Sequence, residues 1–270
     1  MHMKNFLALF LLAAAAMASL VPIGGCAPKR SPELTVLTYN IHHGEGMDKQ
    51  LDLARIARVI REQKPDLVAL QEVDAGTNRA NHVMQAAELG RLTQMHHAYG
   101  AAMEFDGGKY GDAVLSRYKI IESRVISLGY RPGNRREPRV AVMTIVALPG
   151  GKRIAFISTH LDHTANSPDR LEQTQAINNQ LRDLKEPAIL AGDFNCEPGS
   201  GPMAELEKIW KVVSNGDGSL TCPADEPRTK IDHVLVKPAE RFRIVEAKVI
   251  DERMASDHRP VVVKLECIHD

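Results

Sequence analysis

Nine short apolar runs rich in β-branched residues set the limits of this fold: Leu34–Ile41, Asp66–Gln71, Gly111–Ser116, Val140–Leu148, Ile154–Thr159, Ala188–Ala191, Ile231–Val236, Arg243–Ile250 and Pro260–Leu265. Each has the length of a strand. Helices are few. Leu53, Ile56, Ala57 and Ile60 follow the i, i+3, i+4, i+7 rule, and that pattern stops before Pro65. Ser167 as N-cap and Pro168 at the first helical position predict a second helix, with Ile177, Leu181 and Leu184 on its apolar stripe, ending before Pro187. A third covers roughly Val83 to Leu92. A doubly wound sheet would need a helix after nearly every strand, yet Gly111 to Thr159 offers none. The pattern predicts an α/β domain of two packed sheets flanked by helices, with runs such as Leu67-Val68-Ala69-Leu70 buried on both faces.

The first residues carry a different signal. Lys4 is followed by the apolar run Phe6 to Ala18 and then by Ile23-Gly24-Gly25-Cys26. The run is short for a bilayer span, and Ile-Gly-Gly-Cys resembles a bacterial lipobox. The expectation is a signal peptide over 1–25, a lipid-attached tether over 26–33 and a single domain over 34–270. Lipid on Cys26 makes the membrane a partner and places the chain outside the cytoplasm, facing the periplasm or the cell surface. The extended tether reaches roughly 25 Å. Three cysteines remain, and in an oxidising compartment Cys196 and Cys222 are the expected disulfide pair, with Cys267 left over. No Cys-x-x-Cys spacing supports a zinc ribbon. Thirty-four basic residues balance 34 acidic ones, so no net charge draws the chain to nucleic acid.

Residues able to ligate a hard cation or move a proton sit where the apolar runs end or begin. Asn40, Glu72 and His160 close or follow strands, Asp193 and Asn195 follow Ala191, Asp232 lies in a short strand, and Asp257-His258 precedes the last one. Singly each has a structural reading, as a turn former, a solvated strand end or a cap. Together they form an ordered set: Thr38-Tyr39-Asn40-Ile41, Leu70-Gln71-Glu72-Val73-Asp74, Tyr110-Gly111-Asp112-Ala113-Val114-Leu115-Ser116-Arg117, Ser158-Thr159-His160-Leu161, Gly192-Asp193-Phe194-Asn195, Lys230-Ile231-Asp232-His233 and Ser256-Asp257-His258-Arg259-Pro260. In kind and order this set resembles the endonuclease/exonuclease/phosphatase superfamily of metal-dependent phosphoesterases.

The resemblance implies a four-layer α/β/β/α sandwich of two mixed β-sheets flanked by helices. It implies Glu72 as principal metal ligand, with Asn40 beside it and Asp257 sharing, for Mg²⁺ or Mn²⁺. His258 would be the general base, oriented by Asp232. Asp193 and Asn195 would position water and phosphate, with Asp193 an alternative base, and His160 would donate to a phosphate or leaving-group oxygen. Arg139 reads either as a phosphate clamp or as a surface arginine. Two positions depart from the pattern: Asp112 stands where Asn is common, and His233 where Tyr is usual. A carboxylate at 112, in a substrate-binding position, would repel phosphate unless neutralised. His42, His43 and His163 lie near the site in sequence, as mouth or as polar loop.

The superfamily covers nucleases, lipid phosphodiesterases and phosphatases. Zero net charge and the tether favour a metal-dependent hydrolase acting, as a monomer, on a small phosphoester or lipid head group. A scavenging nuclease is the alternative, with nucleic acid as partner. A non-catalytic surface lipoprotein is the second.

Overall fold

A computed structural model describes residues 33–129, 137–165, 168–214 and 220–268. The signal, lipobox and Cys26 readings and the Ser167 cap lie outside these residues. In chain order the first elements are β1 (Glu33–Asn40), α1 (Leu53–Gln63), β2 (Leu67–Ala75), α2 (Gln85–Thr93), β3 (His96–Phe105), β4 (Gly108–Ser116), β5 (Ile120–Gly129) and β6 (Arg139–Ala147). They continue with β7 (Arg153–His160), α3 (Pro168–Leu181), β8 (Ala188–Asp193), α4 (Gly201–Leu206), β9 (Lys211–Val212), β10 (Asp232–Lys237), β11 (Phe242–Val249) and β12 (Val261–Cys267).

The strands form two six-stranded sheets, ordered β11-β12-β1-β2-β4-β3 and β5-β6-β7-β8-β10-β9. Both are mixed: β1 runs parallel to β2 and β7 to β8, while the other pairs are antiparallel. Strand alternation then builds the layers. Val36, Leu67, Ala69 and Val114 of the first sheet meet Val142, Phe156, Ile189 and Val234 of the second in one core. Leu37, Tyr39, Val68 and Leu70 point the other way, onto Ile56, Ala57 and Ile60 of α1. Ile157 and Leu190 do the same for α3, packing on Ile177 and Leu181. This double-sided burial is why the β2 run is apolar throughout, and each large side chain so buried is worth about 1.5–3 kcal/mol. Gln71 Nε2 donates to Ser158 Oγ at 3.1 Å, and Ser158 Oγ donates to the Leu70 carbonyl at 3.1 Å, a polar stitch between the sheets.

α1 is capped by Asp52, whose side chain accepts from the Arg55 N–H at 2.9 Å, and it ends at a left-handed Lys64 before Pro65. The predicted α3 stripe holds, although the helix stops at Leu181 and Leu184 packs from the following turn. β3 and β5 are additional strands, with polar and half-exposed sequences that lack an unbroken apolar run. The expected Cys196–Cys222 disulfide is corrected: Cys196, Cys222 and Cys267 are all free thiols. Cys196 is buried in the α3 core, with its thiol donating to the Phe194 carbonyl at 2.8 Å. Among the described residues no helix is long and apolar enough to cross a membrane.

Candidate active site

Strand register gathers the predicted residues at one edge of the sandwich. His160 on β7 pairs with Asp193 on β8, and Asp193 pairs with Asp232 on β10, so three side chains stand in a row on one face. In the first sheet β1 ends at Asn40, opposite Gln71. A bulge between Leu70 and Val73 takes Glu72 out of the ladder with φ of 58°, re-aiming its carboxylate. Gly192 lets β8 approach β7 beside Asp193, because a Cβ there would lie 1.9 Å from the Thr159 carbonyl oxygen.

Asp193 is the hub. Its Oδ2 accepts from Asn40 Nδ2 at 3.1 Å and faces His160 Nε2 at 3.5 Å and His258 Nε2 at 3.7 Å. Asn40 Nδ2 also donates to Glu72 Oε1 at 3.0 Å, joining the two sheets' carboxylates. The Asn195 N–H donates to Asp193 Oδ1 at 2.9 Å, closing an Asx-turn. Burial, then Asp232, pushes the Asp193 pKa up to about 7 against the pull of His258 and the Asn195 and Asn40 hydrogen bonds.

His258 Nδ1 lies 2.9 Å from Asp232 Oδ2, so its Nδ1–H donates and Nε2 faces the cavity. Burial works to lower the His258 pKa, but the Asp232 and Asp193 carboxylates outweigh it and hold the value well above the ordinary 6.5. Asp257, half-buried, follows Ser256, whose hydroxyl is 2.7 Å from the Asn40 carbonyl and 3.3 Å from Asp257 Oδ1.

Arg139 is a buried residue, which removes the surface reading. Its Nη1 lies 3.2 Å from His160 Nδ1, and its Nη2 lies 3.0 Å from His163 Nδ1 and 2.9 Å from Glu137. A guanidinium only donates, so both Nδ1 atoms accept and the His160 proton sits on Nε2, turned toward Asp193 Oδ2 at 3.5 Å, while the neighbouring Asn195 Nδ2 donates to the Leu161 carbonyl at 3.1 Å. Burial, then Arg139 and His258, holds the His160 pKa well below 6.5, so this ring is neutral. Arg139 Nε is buried without a hydrogen-bond partner.

Asp112 resolves the first departure from the family pattern. Burial raises its carboxyl pKa well above 3.8 despite Arg139, which weakens the charge that would repel a phosphate. The unfolded chain ionises this group above about pH 3.8 while the fold holds the proton to higher pH, so wild-type stability falls as pH climbs toward the folded value. Asp112→Asn is therefore expected to leave the melting temperature unchanged near pH 3.5 and raise it by about 3 °C or more at pH 8. Thermal melts of both proteins across that range check it, and parallel curves would place a charge on Asp112. His233, the second departure, is buried with Nε2 3.0 Å from the Cys196 carbonyl and its ring on Phe194, away from the reacting groups.

These groups open into a cavity of about 300 Å³. Its wall includes Arg79, Met103, Phe105, Tyr110 and Glu137, which sequence reasoning passed over. Arg79 grips Asp74 with two hydrogen bonds, at 2.7 and 2.9 Å, and lies 4.5 Å over the Phe105 ring. The charge pair Asp74 and Arg79, five residues apart, was its available signal. Among the described residues two donor groups could hold a cation: Asp193, Asp232 and His258, and His42, His43 and Glu72.

Known proteins resemble this chain in sequence and in fold. The model of the Endonuclease/Exonuclease/phosphatase family matches residues 37–258. The uncharacterized protein YbhP of Escherichia coli is 29% identical over 247 residues, covering 85% of this chain and 95% of its own. The crystal structure of an endonuclease/exonuclease/phosphatase from Beutenbergia cavernae is 26% identical, with a TM-score of 0.71 over 88% of this chain and 72% of that one. A mannosyl-6-phosphatase of Bacteroides thetaiotaomicron shares the fold at 19% identity and a TM-score of 0.68, covering 87% of this chain and 100% of its own.

Proposed function

The chain belongs to the endonuclease/exonuclease/phosphatase family, and from that premise we propose that it is a divalent-metal-dependent phosphodiesterase or phosphatase acting outside the cytoplasm on a small or lipid-derived phosphoester. The observation that carries this reading is the Asp193 hub, which accepts from Asn40 of the other sheet and faces His160 and His258 in one cavity beside a buried arginine. The formal charge of zero supports a small ester over a polynucleotide.

The residues present fit a hard cation. Glu72 offers a carboxylate, Asn40 turns its Nδ2 to that carboxylate while its Oδ1 accepts from the His42 N–H at 3.1 Å, and Asp232 Oδ1 is buried without a partner in the neighbouring donor group. Glu72 and Asn40 would hold Mg²⁺ or Mn²⁺, with Asp257 sharing. When bound, the ion supplies Lewis-acid stabilisation of charge on the phosphate oxygens. His258 Nε2, beyond hydrogen-bond length from Asp193, is placed to take a proton from the attacking water, while Asp232 fixes the ring through Nδ1. Arg139 Nε is the unfilled donor for a phosphate oxygen, and the His160 Nε2–H donates to the oxygen where charge develops. Asn195 holds the Asp193 carboxylate in place.

The test uses protein lacking residues 1–26 with a chromogenic phosphodiester, its monoester, plasmid DNA and phospholipid vesicles, in Mg²⁺, Mn²⁺ or EDTA. Hydrolysis of a small or lipid ester that stops in EDTA is the expected result. Preferred nicking of the plasmid would replace this reading by the nuclease, and metal binding without turnover by the binding lipoprotein. Extracytoplasmic anchoring is checked by fatty-acid labelling of the full chain, lost in Cys26→Ala.

A further inference from the structure

We propose that Phe105, Met103 and the guanidinium of Arg79 form a shelf for the alcohol part of the substrate, so that the preferred phosphoester carries a planar aromatic ring on the alcohol it releases. The inference rests on the phosphoesterase reading for the ester and adds the class of alcohol. The lining of the cavity falls into two kinds. His160, Asp193, Asn195 and His258 are polar, whereas Met103, Phe105 and Tyr110 come from the β3–β4 hairpin. Met103 pairs with Tyr110 across the ladder and Phe105 stands two residues on, so all three share one face.

The hairpin tip is built to hold its place. Asp106 and Gly107 have φ of 45° and 79°, as a two-residue turn matched to strand twist requires. The Asp106 carbonyl accepts from the Asn78 N–H at 2.8 Å, and its Oδ2 accepts from the Arg79 N–H at 2.7 Å. A Cβ on Gly108 would lie 2.5 Å from the Ala75 carbonyl oxygen, so the hairpin packs directly on the end of β2. Asp74, fully buried, takes both Nε and Nη2 of Arg79 and fixes the plane of the guanidinium. Its Cζ then lies 4.5 Å over the Phe105 ring and 5.7 Å over that of Tyr110.

Phe105 stays 37% exposed in spite of this. A large aromatic ring, held in place and left open on a cavity wall, keeps apolar area in water until something flat covers it. A substrate ring with a π-face gains ring–ring contact with Phe105 and cation–π contact with Arg79, whereas a saturated ring of the same size gains only the covered area. The polar groups opposite hold the phosphate, so one molecule spans both kinds of lining. None of the three shelf residues belongs to the metal-ligand set or moves a proton.

The test gives the detergent-solubilised full chain, in Mg²⁺, benzyl and cyclohexylmethyl phosphates as monoesters and as methyl diesters, because the two rings match in size and their alcohols in acidity. The benzyl ester is expected to show a kcat/KM about fivefold or more higher, carried by KM. Phe105→Leu should abolish that preference and Phe105→Trp should keep it, while a merely structural loss would slow both esters alike. An aryl alcohol and a nucleoside both present such a ring; adenosine 5′-phosphate and its methyl diester distinguish them, and whichever is preferred must exceed the cyclohexylmethyl ester for the shelf to stand. Benzylphosphonate and cyclohexylmethylphosphonate, which cannot be hydrolysed, are titrated in parallel by calorimetry. Tighter binding of benzylphosphonate without turnover of any ester supports the shelf while removing the phosphoesterase reading. Equal kcat/KM for the two esters, equal or absent binding of the two phosphonates, or a preference that survives Phe105→Leu would each overturn the shelf, and turnover of both esters at one rate would do so with the phosphoesterase reading intact.

Discussion

His258→Ala is expected to lower kcat by about 10³-fold or more while the protein stays folded, because the variant removes both the proton acceptor and the partner of Asp232. The wild-type pH profile follows from the same charges. Burial alone would leave His258 easily deprotonated, but Asp232 and Asp193 hold its proton, so the acid limb of kcat/KM should lie above the ordinary histidine value of 6.5. Activity rises with pH through that limb. Asp232→Asn should shift the limb to lower pH and also reduce kcat, since the ring loses the group that fixes Nδ1 as donor. The sign for stability is opposite: a pKa raised by folding contributes stability in full below the unfolded value and gives it up as pH climbs through the folded one. A His258→Ala enzyme retaining a tenth of wild-type kcat would sink the assignment and turn attention to Asp193, whose pKa of about 7 suits a base.

Glu72→Ala is expected to cost a similar factor for a different reason. The bulge that gives Glu72 its left-handed backbone exists to aim one carboxylate between Asn40 and the cavity. Without that carboxylate the cation loses its principal anionic ligand, and Lewis-acid stabilisation worth several kcal/mol goes with it. Turnover should fall about 10³-fold at ordinary Mg²⁺ concentrations, as about 4 kcal/mol of lost stabilisation implies. High Mg²⁺ should restore only part of it. A titration of rate against Mg²⁺ for wild type and variant decides the matter: coincident curves would mean that the ion is held elsewhere.

Much of this was legible in the chain, and the exceptions have physical causes. The central strands carry apolar runs because both of their faces are covered, so β1, β2, β7 and β8 stand out. β3 and β5 lie at sheet edges, where half-exposed faces let His96, Glu122 and Arg124 interrupt the pattern. Most of the chemistry-bearing residues were visible because they sit where the apolar runs end or begin, and order along the chain tied them together. Arg79 and Phe105 were not, because the cavity wall is made by a turn and strand ends whose meeting depends on the finished fold. The disulfide was misread for a related reason: closeness to motifs in sequence said nothing of Cys196 being buried beneath α3. Asp112 shows the reverse, since the residue was plain and only its buried surroundings revealed that its pKa is raised.

The polar stitch of Gln71 and Ser158, together with the Asn40–Asp193 bond, means that neither sheet owns the reacting groups. Asn40 and Glu72 arrive on one, His160, Asp193 and Asp232 on the other, and His258 waits for the final strand near the end of the chain. A half-made molecule emerging from synthesis therefore holds only separate fragments of this constellation, and the set is complete only when the last segment closes the sandwich.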